Sequence, residues 1–260
     1  MGALEVYRYE RKFLISERQA ESIRRFVSVY MEPDRYMAGA GPDGYRVCSL
    51  YLDAPQLALY RQSVEGIKNR YKLRIRFYDD APDTPAFLEV KKRTTETVHK
   101  LRVMIAKSAV GGLLSGRRPS AAELLSNSDT TYRALSDFCD CRDRLQADGV
   151  AFVDYRREAF VSSAAENIRA TFDRRIKGCP YRPGGGLALG DGAAPIPVKG
   201  VVLELKYHGR APRWMHELVN AFNLQRLSFP KYVHCVDALK SASDPFSAGP
   251  RFGVSRHELV

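Results

Sequence analysis

The segment Arg70-Tyr-Lys-Leu-Arg-Ile-Arg-Phe-Tyr78 constrains the fold of this chain more than any other. Lys72, Arg74 and Arg76 alternate with Leu73, Ile75 and Phe77. Period two is the strand period, so one face is cationic and the other apolar. The pattern recurs along the chain. In residues 5–15, Arg8, Glu10 and Lys12 oppose Tyr9, Phe13 and Ile15. In residues 45–53, Ser49, Tyr51 and Asp53 oppose Cys48, Leu50 and Leu52. Residues 87–93 group Glu89, Lys91 and Arg93, and residues 152–162 group Tyr155 with Arg157. Residues 168–173 group Arg169, Thr171 and Asp173, and residues 201–207 group Glu204 with Lys206. Residues 97–107 fit a further strand.

Two architectures accommodate this alternation. One is an antiparallel sheet with a single solvated face. The other is a closed barrel with its charged faces inside. Successive cations on one strand face sit about 7 Å apart and repel, which is unfavourable over several strands unless an anion is bound. Helical segments with their own apolar stripes also need a surface to cover. Ser16 caps one over residues 17–30, and others are predicted at 119–145, at 212–223 and after Tyr232. The expectation is an α+β fold: an antiparallel eight-stranded β-barrel tunnel with helices packed outside. Residues 1–240 read as one domain and 241–260 as a flexible tail. The Gly- and Pro-rich residues 178–200 read as a loop.

Lys and Arg total 41 against 30 Asp and Glu, a formal net charge of +11. Such an excess calls for an anionic partner. Arg offers bidentate contacts to phosphate oxygens, while Lys acts as a point charge. The isolated Glu10, Glu89 and Glu204 are either ion-paired or ligands of a divalent cation, Mn²⁺ or Mg²⁺, shared with phosphate. Other chemistries lack their residues. Gly184-Gly-Gly186 is not followed by Gly-Lys-Ser/Thr, and no Gly-x-Ser-x-Gly or His-Glu-x-x-His occurs. Five scattered cysteines do not suggest a disulfide framework, which favours a reducing, cytoplasmic setting. No run of about 18 apolar residues predicts membrane insertion. Only Tyr51 and Tyr155 are aromatic on the basic faces, so a nucleic-acid partner is not expected.

Eight segments in order resemble the VTC domain, the polyphosphate-polymerase branch of the triphosphate tunnel metalloenzymes (the CYTH-like superfamily). They are Tyr9-Glu-Arg-Lys-Phe13, Ser49-Leu-Tyr-Leu-Asp53, Leu73-Arg-Ile-Arg76, Phe87-Leu-Glu-Val-Lys91, Tyr155-Arg-Arg-Glu-Ala-Phe160, Ile168-Arg-Ala-Thr-Phe-Asp173, Val202-Leu-Glu-Leu-Lys206 and Phe229-Pro-Lys-Tyr-Val-His234. The resemblance implies a basic tunnel that binds ATP, triphosphate or inorganic polyphosphate. It implies phosphoryl transfer from ATP to polyphosphate, with tripolyphosphatase or nucleoside triphosphatase activity, or polyphosphate binding without turnover, as alternatives. Positions matching the family's phosphate contacts are Lys12, Arg74, Arg76, Lys91, Arg157, Arg169 and Lys231. Lys72 and Lys206 join them as phosphate-binding candidates by sharing their strand faces. Glu204 matches the metal-holding glutamate, commonly a Mn²⁺ ligand, and Glu10 is the second metal candidate. Two expected basic residues are missing, at Ser63 and Ser228. Arg61, Lys68 and Arg70 are the candidates to stand in for the first.

Overall fold

Antiparallel pairing organises the whole chain around one sheet. The computed structural model describes residues 8–94, 98–162, 168–187, 193–196 and 198–243. Its strands are β1 (Arg8–Ile15), β2 (Glu32–Pro33), β3 (Tyr45–Asp53), β4 (Arg70–Phe77), β5 (Pro85–Arg93), β6 (Val98–Ala106), β7 (Asp148–Val161), β8 (Arg169–Pro180), β9 (Ala194–Pro195) and β10 (Val201–His208). The helices are α1 (Glu17–Val27), α2 (Ala58–Val64), α3 (Ala109–Leu114), α4 (Asp129–Leu145), α5 (Arg213–Ala221) and α6 (Lys231–Ser243). The strand order is β1-β10-β8-β7-β3-β4-β5-β6, with β2 on β7 and β9 on β8.

The expected closed eight-stranded barrel is therefore wrong. The sheet is open, because β1 pairs only with β10 and β6 only with β5 among the described residues. Other segments occupy the edges that closure would have joined. On β1, the Leu227 amide donates to the Lys12 carbonyl, and Phe13 bridges Arg226. On β6, the Leu125 amide donates to the Met104 carbonyl, and Ile105 bridges Leu124. An edge strand whose backbone groups are partly covered in this way has less need of another strand.

The open sheet is nevertheless strongly curled. Lys91 of β5 reaches Glu10 of β1 at 3.3 Å, although five strands separate β1 from β5 in the pairing order. The charged face is therefore concave. Register shifts at Tyr51/Leu52 in β3 and at Asp154/Arg156 in β7 assist the bend. At the second, Arg175 adopts φ +50° within β8. Bulges of this kind sharpen local twist and bend the strand.

Helices cover the convex face, as expected. The Ser16 hydroxyl accepts from the Gln19 amide to cap α1, whose Ala20, Ile23 and Val27 pack on Phe13, Leu203 and Leu205. Trp214, Met215 and Leu218 of α5 join the same cluster. A second convex cluster gathers Leu50, Leu73, Ile75 and Leu88 under α3 and α4. The segment predicted as one helix at 119–145 divides into a 3₁₀ turn at Ala121–Glu123 and α4.

Helix α6 is different. Tyr232 and Cys235 pack with Val47, Tyr51, Tyr155 and Val202, residues of the charged face. Tyr51 and Tyr232 stack with centroids 4.8 Å apart. Gly178 permits this approach, since a Cβ there would lie 2.4 Å from Cys235 Sγ. Part of the concave face is thus apolar and occupied by a helix. The predicted tail begins inside this helix at residues 241–243, and 244–260 lie outside the described residues. The predicted loop at 178–200 starts within β8, which runs on to Pro180.

Candidate functional site

Strand pairing assembles the concave face in rows. One row joins Lys12, Glu204, Thr171 and Ala159. Its neighbours join Glu10, Lys206 and Arg169, and Val202, Asp173, Arg157 and Tyr45. On the far side, Tyr51, Arg74, Glu89 and Arg102 form one row, and Lys72, Lys91 and Lys100 another. Every site residue predicted from the sequence lies on this face except Lys231, which α6 contributes. Gly44 helps set the Tyr45–Arg157 pairing. It has φ +83°, and a Cβ would fall 2.0 Å from the Arg157 carbonyl oxygen.

The half built from β1, β10, β8 and β7 is rich in acid. Arg157 makes a bidentate contact with Asp173 at 2.6 and 2.8 Å, and Lys231 Nζ reaches the same carboxylate at 2.7 Å. Asp173 has no exposed surface. Burial pushes its pKa up, but Arg157 and Lys231 outweigh this and hold it down at about 2. Glu204 lies 2.6 Å from Lys206 Nζ and 4.0 Å from Arg157. Its carboxyl is held well below the usual range: burial opposes ionisation, but Lys206, Lys12, Lys231 and Arg157 prevail. Glu10 contacts Lys12 at 3.0 Å and Lys91 at 3.3 Å. Arg169 turns to Asp34 at 2.6 Å and donates to the Tyr45 hydroxyl.

The half built from β4, β5 and β6 is poor in acid. Glu89 alone serves Arg74 at 2.6 Å, Lys100 at 2.8 Å, Arg102 at 3.4 Å and Arg76 at 4.0 Å. Such a partner set answers for Glu89 the question left open by the sequence: it is ion-paired. Lys72 ion-pairs with no carboxylate among the described residues. Burial drives its pKa down to about 8, with further lowering from Lys12, Lys91 and Arg70 against opposition from Tyr51. Tyr51 moves to the same region for the opposite reason. Burial raises its pKa, but Arg74, Lys72 and Arg76 bring it down to about 8.

Ser63 lines one crevice with Lys72, Tyr51, Tyr71 and Tyr232, and its hydroxyl oxygen is buried without a hydrogen-bond partner. Ser228 is exposed. Of the three residues considered as substitutes for a base at 63, Arg61 and Lys68 are exposed, whereas Arg70 is half-buried and paired in register with Arg93. Arg70 thus extends the cationic column of β4.

The carboxylates fit a divalent cation only in part. No group of three or more His, Cys, Asp or Glu side chains suited to a metal occurs among the described residues. Glu10 and Glu204 do share Lys12 between them, and Glu204 pairs in register with Thr171. Thr171 Oγ1 is buried with no hydrogen-bond partner. Two carboxylates and an orphaned hydroxyl suit an ion that takes its remaining oxygens from phosphate and water, as Mg²⁺ commonly does.

Sequence reasoning missed several members of this face. In the sequence, Asp173 stands out only by its periodicity, and Lys100 and Arg102 lie unmarked within residues 97–107. The uninterrupted period two of Lys100 and Arg102 was the available signal. Tyr51 is placed on the face by its period, but its perturbation comes from the cations of β4, which only the strand pairing brings to it.

These features define an antiparallel sheet whose concave face pairs a carboxylate-bearing half with a cationic one. The chain belongs to the VTC domain family, which residues 7–240 match, within the triphosphate tunnel metalloenzyme (CYTH-like) superfamily. That superfamily handles triphosphates and phosphoryl transfer, and its association is with metal-dependent chemistry. No curated protein sequence matches the chain. Among solved structures, a putative adenylate cyclase from Bacillus halodurans is 14% identical with a TM-score of 0.47, covering 86% of this chain and 93% of its own. The PH1819 protein from Pyrococcus horikoshii is 13% identical with a TM-score of 0.46, covering 90% and 99%. The putative adenylyl cyclase HpAC1 from Hippeastrum, described as having a dominant triphosphatase activity, is 14% identical with a TM-score of 0.47, covering 88% and 95%. No described helix is long and apolar enough to cross a membrane.

Proposed function

We propose that the protein is a metal-dependent phosphoryl transferase that builds inorganic polyphosphate from the γ-phosphate of ATP. The observation that carries this reading is Lys72, a half-buried cation without a carboxylate partner among the described residues, in a row with Lys91 and Lys100. Such a row is unfavourable alone and favourable around a bound polyanion. Arg74, Arg76, Arg157 and Arg169 neutralise phosphate oxygens. Lys12, Lys91 and Lys231 position the transferred group, and Lys72 and Lys206 hold the neighbouring phosphates. A terminal oxygen of the acceptor chain forms a bond to the γ-phosphorus, the bond to the β-phosphate oxygen breaks, and ADP leaves. Glu204 and Glu10 would hold Mn²⁺ or Mg²⁺, which supplies charge neutralisation and polarises a phosphoryl oxygen. This chemistry rests on positioning and electrostatics, so no nucleophilic side chain is needed.

A second reading, hydrolysis of triphosphate, is supported by Tyr51 and Lys72. Burial brings the Lys72 pKa down to about 8, and Arg74, Lys72 and Arg76 bring Tyr51 down to about 8 against its burial, which suits a group that takes a proton from an attacking water. Incubation with ATP and Mn²⁺ separates the readings. Long polyphosphate supports the transferase, free phosphate alone supports the hydrolase, and neither product leaves a polyphosphate-binding module.

A further inference from the structure

One end of the concave face changes character. There the same face carries Phe87 of β5 beside Arg76 and, beyond Ser49 and Arg76, Tyr45 of β3 and Tyr78 just after β4. Tyr36, from a 3₁₀ turn at Arg35–Met37, lies against them. Its ring is parallel to that of Tyr78 within 7°, with centroids 6.5 Å apart, and is tilted against Tyr45 at 6.1 Å. Tyr78 meets Phe87 edge-on at 5.6 Å. Two arginines of the basic face tie this cluster to the phosphate-binding groups. Arg169 donates to the Tyr45 hydroxyl at 3.1 Å, and Arg102 donates to the Tyr78 hydroxyl at 3.1 Å. Arg102 also lies over the Phe87 ring at 3.8 Å.

A cluster that merely filled space would be covered. Tyr36 is 56% exposed, although an aromatic of its size gains most from burial. Its position is also polarised. The opposite end of β4 and β5 presents Arg70 beside Arg93, a pair of cations. We propose that Tyr36, with Tyr78 and Tyr45, forms a stacking platform for the nucleobase of a bound nucleoside triphosphate. The triphosphate then runs inward past Arg102 and Arg169 onto the basic rows. Aromatic faces accept any base, so the platform distinguishes nucleotide from inorganic polyphosphate more than one base from another. This inference rests on the triphosphate reading of the face and adds to it the end at which the nucleoside sits.

The test is isothermal titration of the full chain with ATP and, separately, with inorganic tripolyphosphate. Both titrations are run for the wild type, Tyr36→Ala and Tyr36→Phe. The expected result is that Tyr36→Ala weakens ATP by at least about fivefold and leaves tripolyphosphate unchanged. Tyr36→Phe, which keeps the ring, should bind both as the wild type does. Equal weakening of both ligands in Tyr36→Ala, or no weakening of ATP, overturns the platform and leaves the phosphate site standing. Failure of the wild type to bind either ligand overturns the phosphate reading and the platform with it. Circular dichroism of Tyr36→Ala separates lost folding from lost stacking. If that variant is unfolded, Tyr36→Leu takes its place with the same criteria.

Discussion

The two halves of the concave face solve the problem of buried charge in opposite ways. Around β10 and β8, Lys12, Arg157, Lys206 and Lys231 each have a carboxylate partner within 3.0 Å. Around β4, β5 and β6, four cations share Glu89, and Lys72 has no such partner. Removing one member of a compensated buried pair leaves an uncompensated charge. Removing an uncompensated cation relieves one. The first half therefore carries its counter-charges as part of its scaffold, and the second leaves Lys72 without one among the described residues.

The sharpest way to break this comparison is Asp173→Asn. Arg157 and Lys231 would lose their shared buried counter-charge, and urea unfolding should show a loss of about 3–5 kcal/mol. A loss below about 1 kcal/mol would contradict the scaffold role of that half. Next in size is Glu204→Gln, for which Mn²⁺-dependent turnover of ATP should fall by about 100-fold or more. Full activity in that variant would remove Glu204 from the metal site.

Lys72→Met should act in the reverse sense on stability. Tripolyphosphate affinity should drop by about tenfold, a charge-assisted contact's worth, while the ligand-free protein unfolds no more readily than the wild type. Destabilisation instead would mean that Lys72 has a structural partner. The smallest effect concerns pH. Lys72 has its folded pKa depressed to about 8, so the unfolded chain binds more protons between there and its ordinary value of 10.5. Stability from this group is therefore lost on lowering the pH through that window and regained on raising it. Phosphate binding runs the other way. Above about pH 8, Lys72 loses its charge and Tyr51 gains a negative one, so tripolyphosphate affinity should decline there. Lys72→Met should flatten that decline.

Much of this was legible in the chain. Period two gave the strands and their charged faces, because alternate side chains of a strand must point to opposite sides whatever lies around them. Period two puts Lys12 on the charged face of its strand and Glu204 on that of another, and the register sets the two opposite each other. The platform was not legible. Tyr36 comes from a turn, Tyr45 and Tyr78 from strand ends, and only folding brings the three together.

The amino-acid sequence by itself determined which residues form strands, which face of each is charged, and that the face carries excess positive charge. Those are properties of neighbours along the chain. Closure was decided by tertiary structure alone. Whether β1 meets β6 depends on what else reaches their edges, and here Arg226–Leu227 and Leu124–Leu125 do so. The sharing of carboxylates was likewise decided in space. Asp173 comes to serve Arg157 and Lys231 because β7, β8 and α6 converge there, whereas Lys72 meets no carboxylate among the described residues.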